Sequence, residues 1–483
     1  MKTYLTTIGL EIHVQLKTAS KMFCTNSAEY FGAEPNSHTC PVCLGLPGAL
    51  PVANERAIES VIRFAIALNC KINKQSKFDR KNYFYPDLPK GYQISQFDLP
   101  IGEQGWLGLD GKKIGITRVH LEEDTGKLIH AKVDGENVSL VDFNRSGVPL
   151  MEIVSEPDIE SPEEARNFSK LVHQTARYLG VSDADMEKAG MRFDANVSIR
   201  PQGTSKLGEK VEIKNINSFR FLEKALVYEI ERQIKVLESG ERVSQETRGW
   251  VEAKNVTVLQ RSKETSPDYR YFPEPDLPPL VFDPARLDKL RSSLSELPTE
   301  KRKRFEQEYL LDKKYVHVLT EDNNIAQWYE NALSLYSKDK SKVLANWVVE
   351  ELLKLIREKN TTINAVPIEP AGLVELLTIL DKGEINQTTA RKVLIRMYET
   401  GNLPSQIVEE EGLAQLSKNE DLESVVDETI SENQKAVEDF KNGKEASLGF
   451  LIGQVMKKTK GQANAKTTES IIREKIYGNQ GRG

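Results

Sequence analysis

Four short stretches of the chain alternate apolar residues with carboxylates, amides and basic residues. A period of two is typical of a β-strand whose apolar face is turned to a core. In residues 8–16, Glu11 and His13 share the polar face. The same face of the other three stretches carries His120 and Glu122 in residues 115–124, Asp194 and Asn196 in residues 192–200, and Glu212 and Lys214 in residues 210–216.

Several carboxylates and a histidine that meet on one sheet surface repel one another unless a cation lies between them. Carboxylate oxygens, together with water and phosphate oxygens, suit Mg²⁺, and nearby Lys or Arg side chains suit a polyphosphate. If the four strands lie in one sheet, the sequence predicts a Mg²⁺–nucleotide site on its open face. A solvated outer face is the alternative, and a single strand of this kind would favour it.

The composition is that of an ordinary globular protein. The chain has 483 residues, of which 39% are hydrophobic and 29% charged, so we expect two or three domains. No apolar run is long enough to span a bilayer, and the N-terminus lacks a signal-peptide pattern, so we expect a cytoplasmic protein without a membrane partner. With a net charge of −6, nucleic acid would have to be bound through a local basic patch.

Four cysteines are too few for a disulfide framework in a chain of this length. Cys40 and Cys43 have the spacing of a zinc knuckle, and Cys24 lies upstream with His38 between. These four side chains could form a small structural zinc site. Reduced, partly buried thiols are an equally good interpretation.

Strand patterns fill much of residues 1 to about 294, and helical periodicity separates some of them. Ser161 followed by Pro162 is typical of a helix N-terminus. Because strands and helices do not alternate regularly, as βαβ units require, we expect an α+β fold. The predicted helices of this region cover residues 53–69, 161–179 and 219–238.

Residues 78–96 interleave basic and aromatic side chains. This mixture suits a nucleotide or the end of an RNA, through phosphate contacts and base stacking. A proline-punctuated loop that packs its rings on the domain is the alternative, and the stretch taken alone favours it. The side chains concerned are Arg80, Lys81, Tyr83, Phe84, Tyr85 and Tyr92.

From Leu294 onward the patterns are helical, with an apolar stripe over residues 341–359. Residues 457–483 contain seven Lys or Arg and two Glu, a local charge of +5. A small helical module with such an end could bind an RNA backbone, and a solvated tail is the alternative. The candidate contacts are Lys457, Lys458 and Lys460.

Longer motifs then occur in an order that resembles the GatB family, the B subunits of tRNA-dependent amidotransferases. The resemblance extends over essentially the whole chain, and residues 449–456 (GFLIGQVM) are similar to the YqeY-like tail of that family. The other motifs are IGLEIH at 8–13, KFDRKNYFYPD at 77–87, YQISQFD at 92–98, HLEED at 120–124, IVSEPD at 153–158, EIKN at 212–215 and DYRYFPEPDL at 268–277.

This resemblance implies three regions: a mixed-sheet cradle domain with the ATP site (residues 1–294), an all-helical tRNA-binding domain (295–406) and a helical YqeY-like tail (407–483). It implies ATP-dependent phosphorylation of the side-chain carboxylate of Glu-tRNA(Gln), Asp-tRNA(Asn) or both. Ammonia from a GatA-like glutaminase subunit then displaces the phosphate. A small GatC-like subunit would complete the heterotrimer.

By matching motif positions, the resemblance assigns catalysis and Mg²⁺ binding to Glu11, His13, Glu122, Asp194 and Glu212. Glu122 is preferred to Glu123 because it shares a strand face with His120. The candidates for contact with ATP or phosphate are Arg80, Arg145, Asn196 and Lys214.

One departure concerns zinc. Members with a zinc site usually have a Cys-x-Cys pair upstream of the CPxC, whereas here Cys24 is followed by Thr25 and Asn26. His38 could replace the missing ligand, or the site could be degenerate. Zinc is therefore an optional cofactor beside ATP and Mg²⁺.

Two other functions compete with the enzyme. A tRNA-docking scaffold without catalytic work would not need Glu11, His13 and Asp194 on strand faces. A stand-alone metal hydrolase is disfavoured because no nucleophile–base motif is visible, and because the helical region and basic tail would have no role.

Overall fold

The computed structural model describes residues 3–262, 268–414, 419–459, 461 and 463–478. The chain divides into two compact units, Met1–Lys301 and Arg302–Gly483. The described strands all lie in the first unit, and helices make up the regular structure described in the second. The fold class is α+β, as predicted.

The first unit is built around a mixed sheet of nine strands among the described residues. The described strands of the unit are β1 (Tyr4–Gln15), β2 (Lys71–Ile72), β3 (Gln75–Ser76), β4 (Asp79–Asn82), β5 (Tyr92–Ser95), β6 (Gly102–Leu109), β7 (Lys112–Glu123), β8 (Lys127–Val133), β9 (Glu136–Asp142), β10 (Pro149–Ser155), β11 (Met191–Pro201), β12 (Val211–Ile216), β13 (Glu246–Val251), β14 (Val256–Ser262), β15 (Phe272–Pro273) and β16 (Leu280–Val281). The order of strands in the nine-stranded sheet is β14-β13-β12-β11-β1-β10-β7-β6-β2, and every neighbouring pair is antiparallel except β12 and β13.

One face of this sheet is covered by three helices, α1 (Glu55–Ala67), α2 (Pro162–Tyr178) and α3 (Phe219–Glu238). The alternate residues of β1, from Ile8 to Val14, are fully buried there in one core with the apolar sides of the helices. Each helix begins after an Asn or Ser whose side chain accepts a hydrogen bond from a backbone N–H of the first turn. The opposite face of the sheet is left to the polar side chains.

Three smaller groups of strands accompany the main sheet. β4 pairs with β5 and β15, and β3 pairs with β16. β8 and β9 form a separate two-stranded hairpin, whose turn residues Asp134 and Gly135 both have positive φ angles, as tight hairpin turns require.

The described part of the second unit has two hydrophobic cores, one spanning Phe305 to Val408 and one spanning Leu422 to Ile472. The predicted helix over 341–359 is interrupted, because Trp347–Leu352 forms a π-helical segment between the α-helices Ser341–Asn346 and Leu353–Glu358. The helices from the end of the first unit onward are α4 (Pro284–Ser292), α5 (Pro298–Glu308), α6 (Lys313–Leu319), α7 (Asn323–Leu335), α8 (Ser341–Asn346), α9 (Leu353–Glu358), α10 (Pro370–Asp381), α11 (Gln387–Thr400), α12 (Pro404–Glu410), α13 (Asn419–Glu432), α14 (Gln434–Lys441), α15 (Ala446–Lys458) and α16 (Ala465–Tyr477).

The helices within the described residues do not include a candidate membrane span. None of them combines the length and the apolar character needed to cross a bilayer.

Candidate active site

The four strands with alternating carboxylates do lie in one sheet, and the register brings their polar faces together. On β1, Glu11 is directly opposite Asp194 of β11. His13 is opposite Glu152 of β10, and Glu152 is in turn opposite His120 of β7. The polar face therefore collects side chains from neighbouring strands that are far apart in sequence.

A first group, which we call the histidine cluster, consists of His13, Glu122 and Glu152. Their potential ligand atoms all lie within 4.8 Å of one another. His13 Nε2 is 3.2 Å from a Glu152 oxygen and 3.9 Å from a Glu122 oxygen. His120 contacts the same two carboxylates at 3.6 and 3.7 Å, and both carboxylates are buried.

The charges within the histidine cluster support one another. Burial favours the neutral imidazole, but the hydrogen bond to Glu152 and the charge of that carboxylate outweigh burial and raise the pKa of His13. Burial also opposes ionisation of Glu152, yet the charge of His120 and the hydrogen bond from His13 hold the pKa of Glu152 well below its ordinary value. Each partner therefore favours the charged form of the other.

A second group, the carboxylate cluster, consists of Glu11, Asp194 and Glu212, whose oxygens also lie within 4.8 Å of one another. Lys214 Nζ lies 2.9 Å from Asp194 and 3.1 Å from Glu212. Asn196 Nδ2 donates to Glu11 at 3.1 Å. Burial, followed by the charge of Glu152, raises the pKa of Glu11.

The five predicted metal ligands are thus divided between two clusters. Glu11 and His13 lie two residues apart on β1, a separation of about 7 Å along a strand. Each cluster therefore offers its own set of three ligand atoms. Lys214 and Asn196, which the sequence predicts to contact phosphate, both contact members of the carboxylate cluster.

Glu152, the third member of the histidine cluster, was missed by the sequence analysis. Its signal was present, because residues 150–154 are apolar except for this one carboxylate. A lone charge inside an apolar strand must be paired or bound once it is buried. Glu123, in contrast, contacts Lys90 and accepts the backbone N–H of Ile94, away from both clusters.

Arg80 and Lys81 are adjacent cations on β4, and Lys81, not the predicted Arg80, is the one near the histidine cluster. Successive strand residues point to opposite faces. Arg80 donates to both oxygens of Glu274, at 2.7 and 2.9 Å. Burial opposes the charge of Lys81, but the nearby carboxylates, Glu122 above all, raise its pKa.

Arg145, the other predicted phosphate contact, is engaged elsewhere in the structure. Its guanidinium donates to the carbonyl oxygens of Thr125 and Gly126, at 2.9 and 2.6 Å, and lies 3.8 Å from Asp124. The structure therefore places Arg145 with Asp124 and its other cation, Arg192, rather than in either cluster.

A cavity of about 1400 Å³ opens beside the carboxylate cluster. Lys214, Thr247 and Arg261 line it and also contact that cluster. Cations beside an acidic surface suit a polyphosphate that arrives with divalent ions. The aromatic lining residues are Tyr83, Phe84, Tyr85, Tyr269 and Phe272.

The predicted zinc ligands are brought together only in part. The thiols of Cys24, Cys40 and Cys43 lie within 4.8 Å of one another, but among the described residues the ring of His38 does not join them. Instead, the buried Lys21 Nζ lies 3.8 Å from Cys43 Sγ and donates to the carbonyl oxygen of His38 at 2.7 Å. Three thiols are one ligand short of a structural zinc site, so the described residues do not complete the predicted set.

The three lysines at the basic end of the chain that were predicted to contact RNA differ in their surroundings. Lys457 is exposed at the end of α15. Lys458 is paired with Glu428 and Glu432, at 3.1 and 2.7 Å. The third predicted contact, Lys460, lies outside the described residues.

Two sets of metal-type ligands on one sheet, beside a cavity lined by cations, are typical of a metal-dependent enzyme that handles phosphates. Comparison with known families identifies the class of enzyme more closely. Residues 6–288 match the family described as "GatB/GatE catalytic domain", and residues 327–476 match the one described as "GatB domain". The chain belongs to the GatB/GatE family, as its motifs predicted.

Full-length relatives agree with this assignment. The B subunit of the aspartyl/glutamyl-tRNA(Asn/Gln) amidotransferase from Carboxydothermus hydrogenoformans is 52% identical over 481 residues, which is 99% of each chain. The protein of the same name from Thermodesulfovibrio yellowstonii is 51% identical over 97% of this chain and 98% of its own. That from Thermotoga petrophila is 48% identical over 98% and 99%.

Proposed function

We propose that this chain is the kinase and transamidase component of a tRNA-dependent amidotransferase. Its substrate is a glutamyl or aspartyl group esterified to tRNA(Gln) or tRNA(Asn). ATP phosphorylates the side-chain carboxylate of that group, and ammonia then displaces the phosphate to leave the amide. The shared name of the relatives supports this assignment.

The observation that carries the proposal is the convergence of six side chains that could bind metal ions, in two clusters on one sheet face. Taking a carboxylate out of water costs several kcal/mol unless it is compensated. Glu122 and Glu152 are buried beside two histidines that offset this cost, whereas burial raises the pKa of Glu11. A scaffold that only docks tRNA gains nothing from this arrangement, whereas an ATP-dependent kinase needs it.

The chemistry explains why ATP is required. A carboxylate is a poor acyl donor because its leaving group would be oxide. Transfer of the terminal phosphoryl group to a carboxylate oxygen creates an acyl phosphate, and attack of ammonia on the carbonyl carbon then expels inorganic phosphate. Mg²⁺ bound at the clusters would offset the negative charges of ATP and of the acceptor carboxylate.

Polar contacts within the chain hold the carboxylates of this surface in position. Asn196 and Lys214 hold the side chains of Glu11 and Asp194 in place through direct contacts. Oxygen donors dominate both clusters and form the whole of the carboxylate cluster, which is the donor type that Mg²⁺ prefers. Glu11, Asp194 and Glu212 would hold one ion, and Glu122 and Glu152 with His13 would hold a second.

We further propose that ammonia comes from a glutaminase subunit, and that a small third subunit completes the complex. The relatives are named as one subunit of an amidotransferase, which supports an assembly of several chains. Within this chain, we propose residues 1–294 as the catalytic region and residues 295–406 and 407–483 as tRNA-binding regions. Lys457 is the exposed candidate for a phosphate contact.

The proposal is tested by ATP consumption in the co-purified complex supplied with misacylated tRNA and glutamine. Glu11→Ala and Asp194→Ala each remove a ligand from the carboxylate cluster. Because such electrostatic groups contribute about 10²–10³-fold to turnover, we expect ADP formation to fall by at least about 100-fold. Binding of tRNA, measured by filter retention, should change less than about twofold.

Asp110→Asn is the matched control, because it removes an exposed carboxylate in the β6–β7 turn. It should leave ADP formation unchanged. If ADP formation by Glu11→Ala and Asp194→Ala equals that of the wild type, the kinase site lies elsewhere and the scaffold function replaces it.

A further inference from the structure

The loop between β4 and β5 presents apolar rings to solvent. Phe84 is 93% exposed and Tyr85 is 60% exposed. Burying a phenylalanine side chain is worth about 1.5–3 kcal/mol, so a ring left this open is available for a partner. Aromatic rings of this kind bind nucleic-acid bases by stacking.

The loop that carries these rings is anchored, although the rings themselves are exposed. Leu88, in the same loop, is buried, and its backbone N–H donates to the carbonyl of Tyr85 at 3.0 Å. Asp87 accepts the Thr125 hydroxyl at 3.0 Å, and its carbonyl oxygen accepts the backbone N–H of Gly126 at 2.8 Å. The loop is therefore anchored at several points, and little conformational entropy is lost when a base stacks on it.

Gly91 lies next to the Phe84 ring. At Gly91 a Cβ atom would lie 3.4 Å from the ring, which is an ordinary contact distance, and the φ angle of Gly91 is +73°. A residue with a side chain would be strained there by its backbone conformation.

Both rings line the cavity that adjoins the carboxylate cluster, together with Lys81 and Lys214. We infer that Phe84, with Tyr85, is the stacking platform for the terminal adenine of the tRNA acceptor end. This inference rests on the proposed function and adds to it the element that positions the acceptor end. The amino acid is esterified to the terminal ribose, so a base held on these rings brings the reacting carboxylate to the cavity that adjoins the carboxylate cluster.

An RNA end suits these rings better than the adenine of ATP. The terminal nucleotide stays connected through its 5′ side to a large molecule in solvent, and the almost fully exposed Phe84 meets it without burial of the whole nucleotide. Free ATP can enter the cavity entirely, where more enclosed rings such as Tyr83 and Tyr269 are available; these two pack edge to face at 5.8 Å.

The test is a double-mutant cycle on the full-length chain. Two fluorescent acceptor-stem hairpins, identical except that one ends in CCA and the other in CC, are titrated by anisotropy. Loss of the terminal adenosine should weaken binding to the wild type about tenfold, or ~1.4 kcal/mol, within the range for one stacked base. Phe84→Ala should weaken binding of the CCA hairpin about tenfold and leave that of the CC hairpin unchanged.

Phe84→Trp should restore the preference for CCA, because a tryptophan also stacks. Phe31→Ala is the control, because Phe31 is 63% exposed but does not line this cavity. Equal losses for both hairpins, no loss with Phe84→Ala, or no binding of either hairpin by the wild type would each overturn the inference. So would a raised KM for ATP with unchanged hairpin binding, which would assign the rings to ATP. ADP formation by Glu11→Ala tests the proposed function separately.

Discussion

Asp124 is a buried carboxylate that two cations share. Arg192 donates to both of its oxygens at 3.1 and 3.2 Å, and Gln15 donates at 2.7 Å. Burial alone would raise the pKa of Asp124, but the charges of Arg192 and Arg145 outweigh it and hold the pKa far below its ordinary value. Because Arg192 is directly opposite His13 in the sheet, this pair also fixes the edge of the histidine cluster.

A pH dependence follows from this depressed pKa. The stabilisation is fully present above the unfolded pKa of about 3.9, and it is lost as the pH falls through the lower pKa of the folded chain. Asp124→Asn should lower the free energy of unfolding of the first unit by about 3 kcal/mol at pH 7, the low end for a broken buried pair, because both arginines are partly exposed. Below about pH 4 the difference from the wild type should narrow.

Urea denaturation at several pH values measures this difference. Asp110→Asn, on the surface, should stay within about 0.5 kcal/mol of the wild type. A deficit in Asp124→Asn that is constant from pH 7 to pH 3 would contradict the assigned role of the charge.

At the scale of secondary-structure elements, helix α3 is tied to the edge of the sheet by one fully buried side chain. Glu229 accepts from Arg232 at 2.7 Å, from Gln233 at 3.0 Å and from Thr257 of β14 at 2.9 Å. Arg248 of β13 lies 3.4 Å away. This network connects α3 to the strands that follow the carboxylate cluster.

Removal of this carboxylate should loosen α3. Glu229→Ala leaves Arg232 and Arg248 with Glu246 as their remaining acidic partner, at 3.1 and 2.8 Å. We expect a loss of about 2–4 kcal/mol in the free energy of unfolding, measured by urea denaturation. Glu231→Ala, two residues away on the exposed side of the helix, should change it by less than about 0.5 kcal/mol. Equal effects of the two substitutions would show that the network does not hold the helix.

Elements with local signals were predictable from the sequence. Helix α3 has the predicted ends, Phe219 and Glu238, because Ser218 supplies an N-terminal cap and Gly240 follows the last turn. The polar face of each site strand was also predictable, since a period of two decides which side chains share a face.

Features that depend on pairing between distant strands were not predictable. Glu11 is paired with Val154 on one side and Asp194 on the other, more than 140 residues away. Spacing along the chain could not show that β10 lies between β1 and β7, so the lone carboxylate Glu152, although visible in its apolar stretch, could not be placed beside His13. For the same reason, one ligand set was expected where the structure has two.

At the scale of the whole molecule, the two units have separate cores. Phe64 is fully buried in the core of the first unit, and Leu373 in a core of the second. A substitution in one core should therefore lower the stability of its own unit. If the two units unfold in separate transitions, a single free energy of unfolding does not describe the entire chain.

Hydrogen exchange read by mass spectrometry tests whether each substitution affects its own unit alone. Phe64→Ala should lower the protection of core amides in the first unit by about 3–5 kcal/mol, and Leu373→Ala those in the second by about 2–5 kcal/mol. In each case the other unit should keep its wild-type protection and serves as the internal control. A loss spread over both units by either substitution would show one cooperative structure.

The two clusters differ in the basic group that lies beside their carboxylates. In the histidine cluster it is the imidazole of His13, whose pKa Glu152 raises against burial. In the carboxylate cluster it is the ammonium of Lys214, whose pKa Asp194 and Glu212 raise against burial. An ion that bound at the first cluster would compete with a proton for His13, whereas one that bound at the second would have to displace the Lys214 ammonium. Ion uptake would then depend on pH at one cluster and on the conformational freedom of one lysine at the other.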